Sequence, residues 1–161
     1  MSTIERIISD HGQGLRRVAA AYEADRMLQE DLFQEILIAI HQALPALREK
    51  ERLAPYVYRI AHNRAATHVA RAVGRKKGEA AVVDEAAEGP EPSPETTLIE
   101  SERADRLGVA IRRLPMGYRQ AVTLYLEEMS YAEISEALDI SESNVGVRIN
   151  RAKQMLKEML S

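Results

Sequence analysis

No cysteine and no tryptophan occur among the 161 residues, and only 4% of the chain is aromatic. Without cysteine there are no disulfides and no thiolate metal sites, a composition that fits a reducing compartment. Long apolar runs are missing too. Nothing approaches the ~20 apolar residues of a membrane span. Acidic Glu5 and Asp10 precede "RRVAAAYEADR", which is unlike a secretory leader. A cytoplasmic protein with no membrane insertion is expected.

Signatures of catalysis are equally scarce. His11, His41, His62 and His68 come without an H-E-x-x-H arrangement, and no phosphate-cradling glycine motif occurs. His62 and His68 could share a metal only if a third ligand approached from elsewhere. No cofactor and no enzymatic activity are expected, and the histidines read as surface or nucleic-acid-facing groups.

A bulk excess of positive charge is the third absence. The net charge of -3 and pI near 5.9 argue against a protein that coats nucleic acid, so any DNA affinity must come from local patches. Residues 1–72 hold 10 basic and 9 acidic groups, residues 73–102 hold 3 and 8, and residues 103–161 hold 9 and 8. The acidic middle contains "GEAAVVDEAAEGPEPSPETT", residues 78–97, with six acidic residues, no basic one and three prolines. Such a segment cannot bury enough apolar surface to fold and reads as a flexible acidic linker.

Elsewhere the apolar residues recur at helical spacing, and no stretch alternates as a strand would. The expected architecture is all-α: two small helical domains, 1–73 and 98–161, joined by a linker over 74–97. Ile4, Ile7, Ile8, Leu15 and Val18 predict an opening helix, weakened or bent at Gly12 and Gly14. From Asp25, a plausible N-cap, Leu28, Leu32, Phe33, Ile36, Ile40 and Leu44 predict a second helix that Pro45 ends. Its other face carries Asp31, Gln34, Glu35, Ile38 and His41, a pattern that simple solvation also explains.

A third helix is expected from Pro55, which suits a first helical turn. Val57, Ile60, Ala61 and Val69 can pack inward, whereas Arg64, His68, Arg71 and Arg75 fall on one stripe. Arg59, Asn63, Lys76 and Lys77 widen it, and Tyr56 and Tyr58 lie near its start. Aromatic rings beside a cationic ridge suit single-stranded nucleic acid, because bases stack on rings while Arg and Lys track phosphates. A solvated charged helix with two core tyrosines fits the same periodicity.

In the second lobe, Leu98, Leu107, Ile111 and Leu114 precede Pro115, and "YRQAVTLYLEEM" suggests another short helix. Ser130 and Glu133 match the S-x-x-E capping box, placing a helix start at 131. Ile134, Leu138, Ile140, Val145 and Ile149 allow two helices to clasp a shared core, with Ser141 capping the second. That second helix then turns Ser143, Asn144, Val147, Arg148 and Arg151 outward, where a recognition helix meets the major groove. Arg148 could donate to guanine, Asn144 to adenine, Val147 could touch a thymine methyl, and Ser141 or Ser143 could reach phosphate. A helical hairpin that only packs has the same pattern.

The order of parts resembles a known family. "EDLFQEILIAIHQAL" and "PYVYRIAHNRAATHVAR" are similar to the second conserved region of sigma factors. "LPMGYRQAVTLYLEEMSYAEISEALDISESNVGVRINRAKQML" resembles their fourth region with its helix-turn-helix. Three matched blocks around a linker are similar to the extracytoplasmic-function (ECF) sigma factors of the sigma-70 class. The resemblance implies that Asp31, Gln34 and Glu35 bind the beta-prime clamp of bacterial RNA polymerase core, with the beta subunit a further partner. It also implies that Tyr56, Tyr58, Arg59, Asn63, Arg64, His68, Arg71, Arg75 and Lys76 capture the melted minus-10 strand of promoter DNA. Ser141, Ser143, Asn144, Val147, Arg148 and Arg151 would read the minus-35 duplex, and an anti-sigma factor would hold the free protein inactive.

The chain departs from the pattern in places. Tyr56 stands for a tryptophan, which keeps a stacking surface, and Thr67 stands for an aspartate. Gly146 and Val147 follow the buried valine where polar or basic residues are common, and glycine costs a helix about 1 kcal/mol against alanine. Two rivals follow. A sigma-like decoy would bind an anti-sigma factor or polymerase without promoter recognition, and an ordinary helix-turn-helix repressor would leave the "EDLFQE" segment without a role.

Overall fold

A computed structural model of the chain describes residues 2–47, 52–78 and 99–161. Seven helices account for the regular structure among the described residues. The first lobe holds α1 (Thr3–Tyr22), α2 (Arg26–Leu47) and α3 (Ala54–Gly78). The second holds α4 (Ile99–Arg112), α5 (Met116–Leu126), α6 (Tyr131–Leu138) and α7 (Glu142–Leu160). Most of the expected linker, residues 79–97, lies outside the described residues, and α3 continues past the expected lobe boundary at residue 73.

A capping box starts α1: the Ser2 hydroxyl accepts from the Glu5 amide at 3.2 Å, and the Ser2 amide donates to the Glu5 carboxylate at 2.9 Å. The helix then runs through Gly12 and Gly14 without the expected break. Both glycines are buried, and the second has a packing reason. A Cβ on Gly14 would overlap the Tyr58 hydroxyl of α3 and lie 2.8 Å from a Glu127 carboxylate oxygen. The lost propensity therefore permits close approach of two neighbours.

Asp25 caps α2 as expected, its carboxylate accepting from the amides of Met27 (2.8 Å) and Leu28 (3.1 Å). Leu32, Phe33, Ile36, Ile40 and Leu44 line its buried face, while Leu28 is exposed. Pro45 does not end the helix, which reaches Leu47. Proline here forfeits only the one ladder bond that its missing N–H would give to the His41 carbonyl. Buried Leu44 and Leu47 anchor that turn on either side of it. Against these faces α3 places Val57, Ala61 and Ala65, all fully buried.

In the second lobe, Ser130 and Glu133 form the predicted capping box at the start of α6, with bonds of 2.9 and 3.1 Å. Asp139 ends α6 in the left-handed region at φ 59°, a conformation that Asp tolerates better than most residues. Its amide and that of Ile140 both donate to the Ser135 carbonyl, at 2.8 and 3.3 Å. Ser141 then caps α7, accepting from the Asn144 amide at 3.0 Å. Residues 139–141 thus make the tight turn of a helix-turn-helix. Ile134, Val145 and Ile149 are fully buried beneath it, with Leu138 and Ile140 packed partly against the same core. Burying each such side chain contributes about 1.5–3 kcal/mol.

Candidate nucleic-acid interface

On α7 the turn and its caps leave one face of the first two helical turns open while Val145 and Ile149 pack into the core. Ser141, Ser143, Asn144, Val147 and Arg151 are exposed, and Arg148 is half-buried. The Arg148 guanidinium rests beside Gly117, where an added Cβ would lie 3.1 Å from it. Arg151 donates to the Tyr118 hydroxyl at a long 3.5 Å, and Lys153 to the Tyr125 hydroxyl at 3.0 Å. The face therefore offers donors, an amide and one exposed apolar side chain. These are the chemistries that base edges and phosphates require.

The α3 ridge divides. Asn63 and Arg71 are exposed and Arg64 is half-buried, so a cationic strip is open to solvent. His68 is half-buried and bonded to the Glu23 carboxylate at 2.7 Å. Two expected contacts are differently placed. Tyr58 is only 4% exposed, so its ring offers no stacking face in this conformation. It packs beneath α1 beside Gly14, edge-on to His11, and burial pushes its hydroxyl up to about 12. Arg59 turns into the other lobe: its Nε donates to the Ala137 carbonyl at 3.1 Å and an Nη to that of Glu136. Tyr56 is half-buried, with the Arg59 guanidinium 5.5 Å from its ring centroid. The side chains of Arg75, Lys76 and Lys77 lie outside the described residues.

Arg59 belongs to a seam between the lobes that the sequence reading missed. Arg17 of α1 grips Glu127 bidentately, at 2.6 and 2.8 Å, and the Glu127 side chain is only 8% exposed. That bond holds the Arg17 guanidinium above its ordinary value. Arg112 of α4 donates to the Ala20 carbonyl in the last turn of α1 at 2.9 Å. Arg59 does the same for the last turn of α6, so each lobe caps a helix of the other. A cation at a helix C-terminus contributes about 0.3–1 kcal/mol, rising to ~2 when partly buried. Arg52 lies 3.5 Å from both Glu133 and Glu136, and Arg119 lies 5.2 Å over the Tyr22 ring. One sequence signal pointed here: a helical glycine, Gly14, on an otherwise apolar stripe.

Under the seam, the Tyr22 hydroxyl and His62 Nδ1 are 2.7 Å apart, and His62 is fully buried with Nε2 unpartnered. Burial drives His62 down to about 3, so the ring is neutral, and it raises the Tyr22 hydroxyl. His62 is thus a core residue and does not face nucleic acid. Among the described residues no cluster of three or more His, Asp or Glu is placed to hold a metal. On α2, Asp31 and Gln34 are exposed and Glu35 is half-buried. Gln34 donates to Glu30 at 3.1 Å, which itself pairs with Arg16 at 2.6 Å.

Family models match both lobes: sigma-70 region 2 over residues 7–75 and sigma-70 region 4 over residues 104–156. The RNA polymerase sigma-H factor of Pseudomonas aeruginosa is 30% identical over 145 residues, covering 84% of this chain and 75% of that one. The ECF RNA polymerase sigma-E factor of Escherichia coli K12 is also 30% identical, over 78% of this chain and 70% of its own length. The chain belongs to the ECF sigma factors of the sigma-70 family. It is an RNA polymerase sigma factor for promoter-specific initiation. The sigma factor SigM of Bacillus subtilis, 26% identical, matches 98% of this chain and 94% of its own. In fold, this sigma factor is similar to RpoE of Bartonella quintana, solved in complex with the anti-sigma factor NepR, at TM-score 0.76 and 18% identity over 99% of this chain and 98% of that one. No helix of the described residues is long and apolar enough to cross a membrane.

Proposed function

We propose that the two lobes divide promoter recognition. In this reading the acidic face of α2, with Asp31, Gln34 and Glu35, docks on the polymerase clamp. The α3 ridge, with Asn63, Arg64 and Arg71 already open, captures the melted minus-10 strand. Tyr56, Arg59, Arg75 and Lys76 complete that surface once the lobes separate, while Tyr58 supports it from the core of the first lobe and His68 joins it only if its bond to Glu23 breaks. The recognition helix α7 reads the minus-35 duplex through Asn144, Val147, Arg148 and Arg151, with Ser141 and Ser143 on phosphate. One observation carries the reading: after the three-residue turn at 139–141 one face of α7 points outward, with Ser143, Asn144 and Arg151 exposed and Arg148 half-buried. The protein is then a cytoplasmic, non-enzymatic partner of polymerase core, and an anti-sigma factor holds it when transcription is off.

In vitro transcription with core polymerase and a promoter library tests this. The sigma factor should select a subset of promoters. Replacing Arg148 and Arg151 with alanine should lower that transcription at least about tenfold, since a good base contact contributes ~1–3 kcal/mol, while core binding persists. A decoy that binds partners without reading promoters is favoured by exposed Val147 and by Gly146 in α7. It predicts no selected promoter and no effect of the two arginines.

A further inference from the structure

The cations of α7 do not share one direction. Successive residues of a helix turn by about 100°, so with Val147 at the centre of the outward face, Ser143, Asn144 and Arg151 lie within about 60° of it. Arg148 lies about 100° to one side and Lys153 about 120° to the other. Both flanks are held by α5, at its opposite ends. The Arg148 guanidinium rests on Gly117, the second residue of that helix, with three of its atoms 3.1 to 3.8 Å from where a Cβ would stand. Lys153 donates to the hydroxyl of Tyr125, the last residue but one of α5, and lies 4.3 Å from its ring centroid. Gly117 and Tyr125 are eight residues apart on one helix, roughly 12 Å along its axis. The major groove is about as wide.

Neither brace exhausts the group it holds. Arg148 meets α5 through van der Waals contact with a glycine, which uses none of its N–H donors. Lys153 gives one donor to Tyr125 and is otherwise exposed, and that bond holds its ammonium above the ordinary value. A helix with its side chains is about 10–12 Å across and fills the groove, so its outward face meets base edges while its flanks meet the phosphates on either border. We infer that Arg148 and Lys153 are a pair of phosphate clamps, one for each strand bordering the groove that α7 enters, and that Gly117 and Tyr125 are the positioning residues that set them. By residue type Arg148 suits guanine equally; its place on the flank, laid against α5, assigns it to the backbone. The clamps fix the register of α7 and leave base reading to Asn144, Val147 and Arg151. The inference rests on the minus-35 reading of α7.

Holoenzyme assembled from core polymerase and the full chain, offered promoter duplexes randomised over the minus-35 element, reads both affinity and base preference. Arg148→Ala and Lys153→Ala should each lower affinity several-fold for every duplex alike and keep the wild-type preference. Each should also shrink the slope of log affinity against log salt by about 0.9. Tyr125→Phe keeps the ring and removes the bond, and Gly117→Ala pushes the guanidinium off its seat. Both should lower affinity in the same uniform way, by less. Neutral methylphosphonate linkages then assign the strands. Placed along one border of the selected element, they should abolish the effect of Lys153→Ala and leave that of Arg148→Ala; along the other border, the reverse. A changed base preference in Arg148→Ala overturns the inference, as does Lys153→Ala binding like wild type, or both effects vanishing with the same strand. Failure of the minus-35 reading looks different: the wild-type holoenzyme shows no preference within the randomised element, and Asn144→Ala and Arg151→Ala leave its affinity unaltered.

Discussion

Helices α3 and α7 both carry a cationic face at helical spacing, yet they end up in opposite situations. The turn before α7 is fixed by bonds three to five residues apart: Ser141 to Asn144, Asp139 and Ile140 to Ser135. The more distant partners of its side chains, Gly117, Tyr118 and Tyr125, belong to α5 of the same lobe. Arg59 on α3, by contrast, bonds carbonyls 77 and 78 residues away. A face set by local chemistry is ready before the lobes meet. A face whose groups find partners across the chain is governed by whether they meet. On the proposed reading, the difference leaves α7 presented to duplex DNA whether or not the lobes meet, and makes strand capture by α3 conditional.

The two regions each contain a glycine that separates them further. On the α3 side, Gly14→Ala drives a methyl group into the Tyr58 hydroxyl and toward Glu127. Glu127 can swing aside if the seam opens, but Tyr58 is locked in the core. Overpacking of this kind costs about 1–3 kcal/mol. Urea unfolding should show a fall of that size in the first lobe. If stability is unchanged, the close approach of α1 to α3 is not a constraint and the glycine has no packing role.

The same contrast explains what could be read from the sequence. Helix positions, the capping box at Ser130 and Glu133 and the turn at Asp139–Ser141 rest on neighbours a few residues apart, and their residue types announce them. Phe33, Ile36 and Ile149 declared their burial through spacing alone. Tyr58 and Arg59 did not, because one position on a helix face decides only which direction a side chain takes, not what waits there. The neutral His62 was likewise invisible: a histidine beside a basic stripe has the sequence look of a contact. Pro45 misled because proline ends helices by removing a bond and clashing with the preceding turn. Buried leucines on both sides can outweigh one missing bond.

His62 gives a prediction of intermediate size that reports only on the first lobe. Its ordinary value is 6.5 and burial lowers it to about 3, so the folded lobe holds it neutral while the unfolded chain protonates below 6.5. Stability from this group is complete above pH 6.5 and drains as pH falls toward 3, at up to about 1.4 kcal/mol per unit. The capping carboxyl Glu133 is held below its ordinary 4.5 chiefly by the Ser130 amide, so its own loss begins at lower pH. The window from pH 6.5 to 5 therefore lies above the loss from Glu133. The unfolding midpoint of the first lobe should drop across it, and His62→Phe should flatten the slope. An equal slope in the variant would place the acid sensitivity elsewhere.

The smallest effect is expected on the α7 side. Gly146→Ala gains about 1 kcal/mol of helix propensity. Against that, the new Cβ would sit 3.3 Å from a ring carbon of Tyr131. Tyr131 is the first residue of α6 and is exposed, so its ring can tilt outward by the few tenths of an ångström required. The two effects nearly cancel, and stability should rise by less than about 1 kcal/mol. The gain cannot come with a moved α7, because Val145 and Ile149 on either side are fully buried and keep its register. Unfolding of the full chain measures the balance, and transcription from a selected promoter measures the register. A loss of stability beyond ~1 kcal/mol would mean that Tyr131 is pinned. The turn region would then be tied down as tightly as α3, and the contrast between the two helices would dissolve.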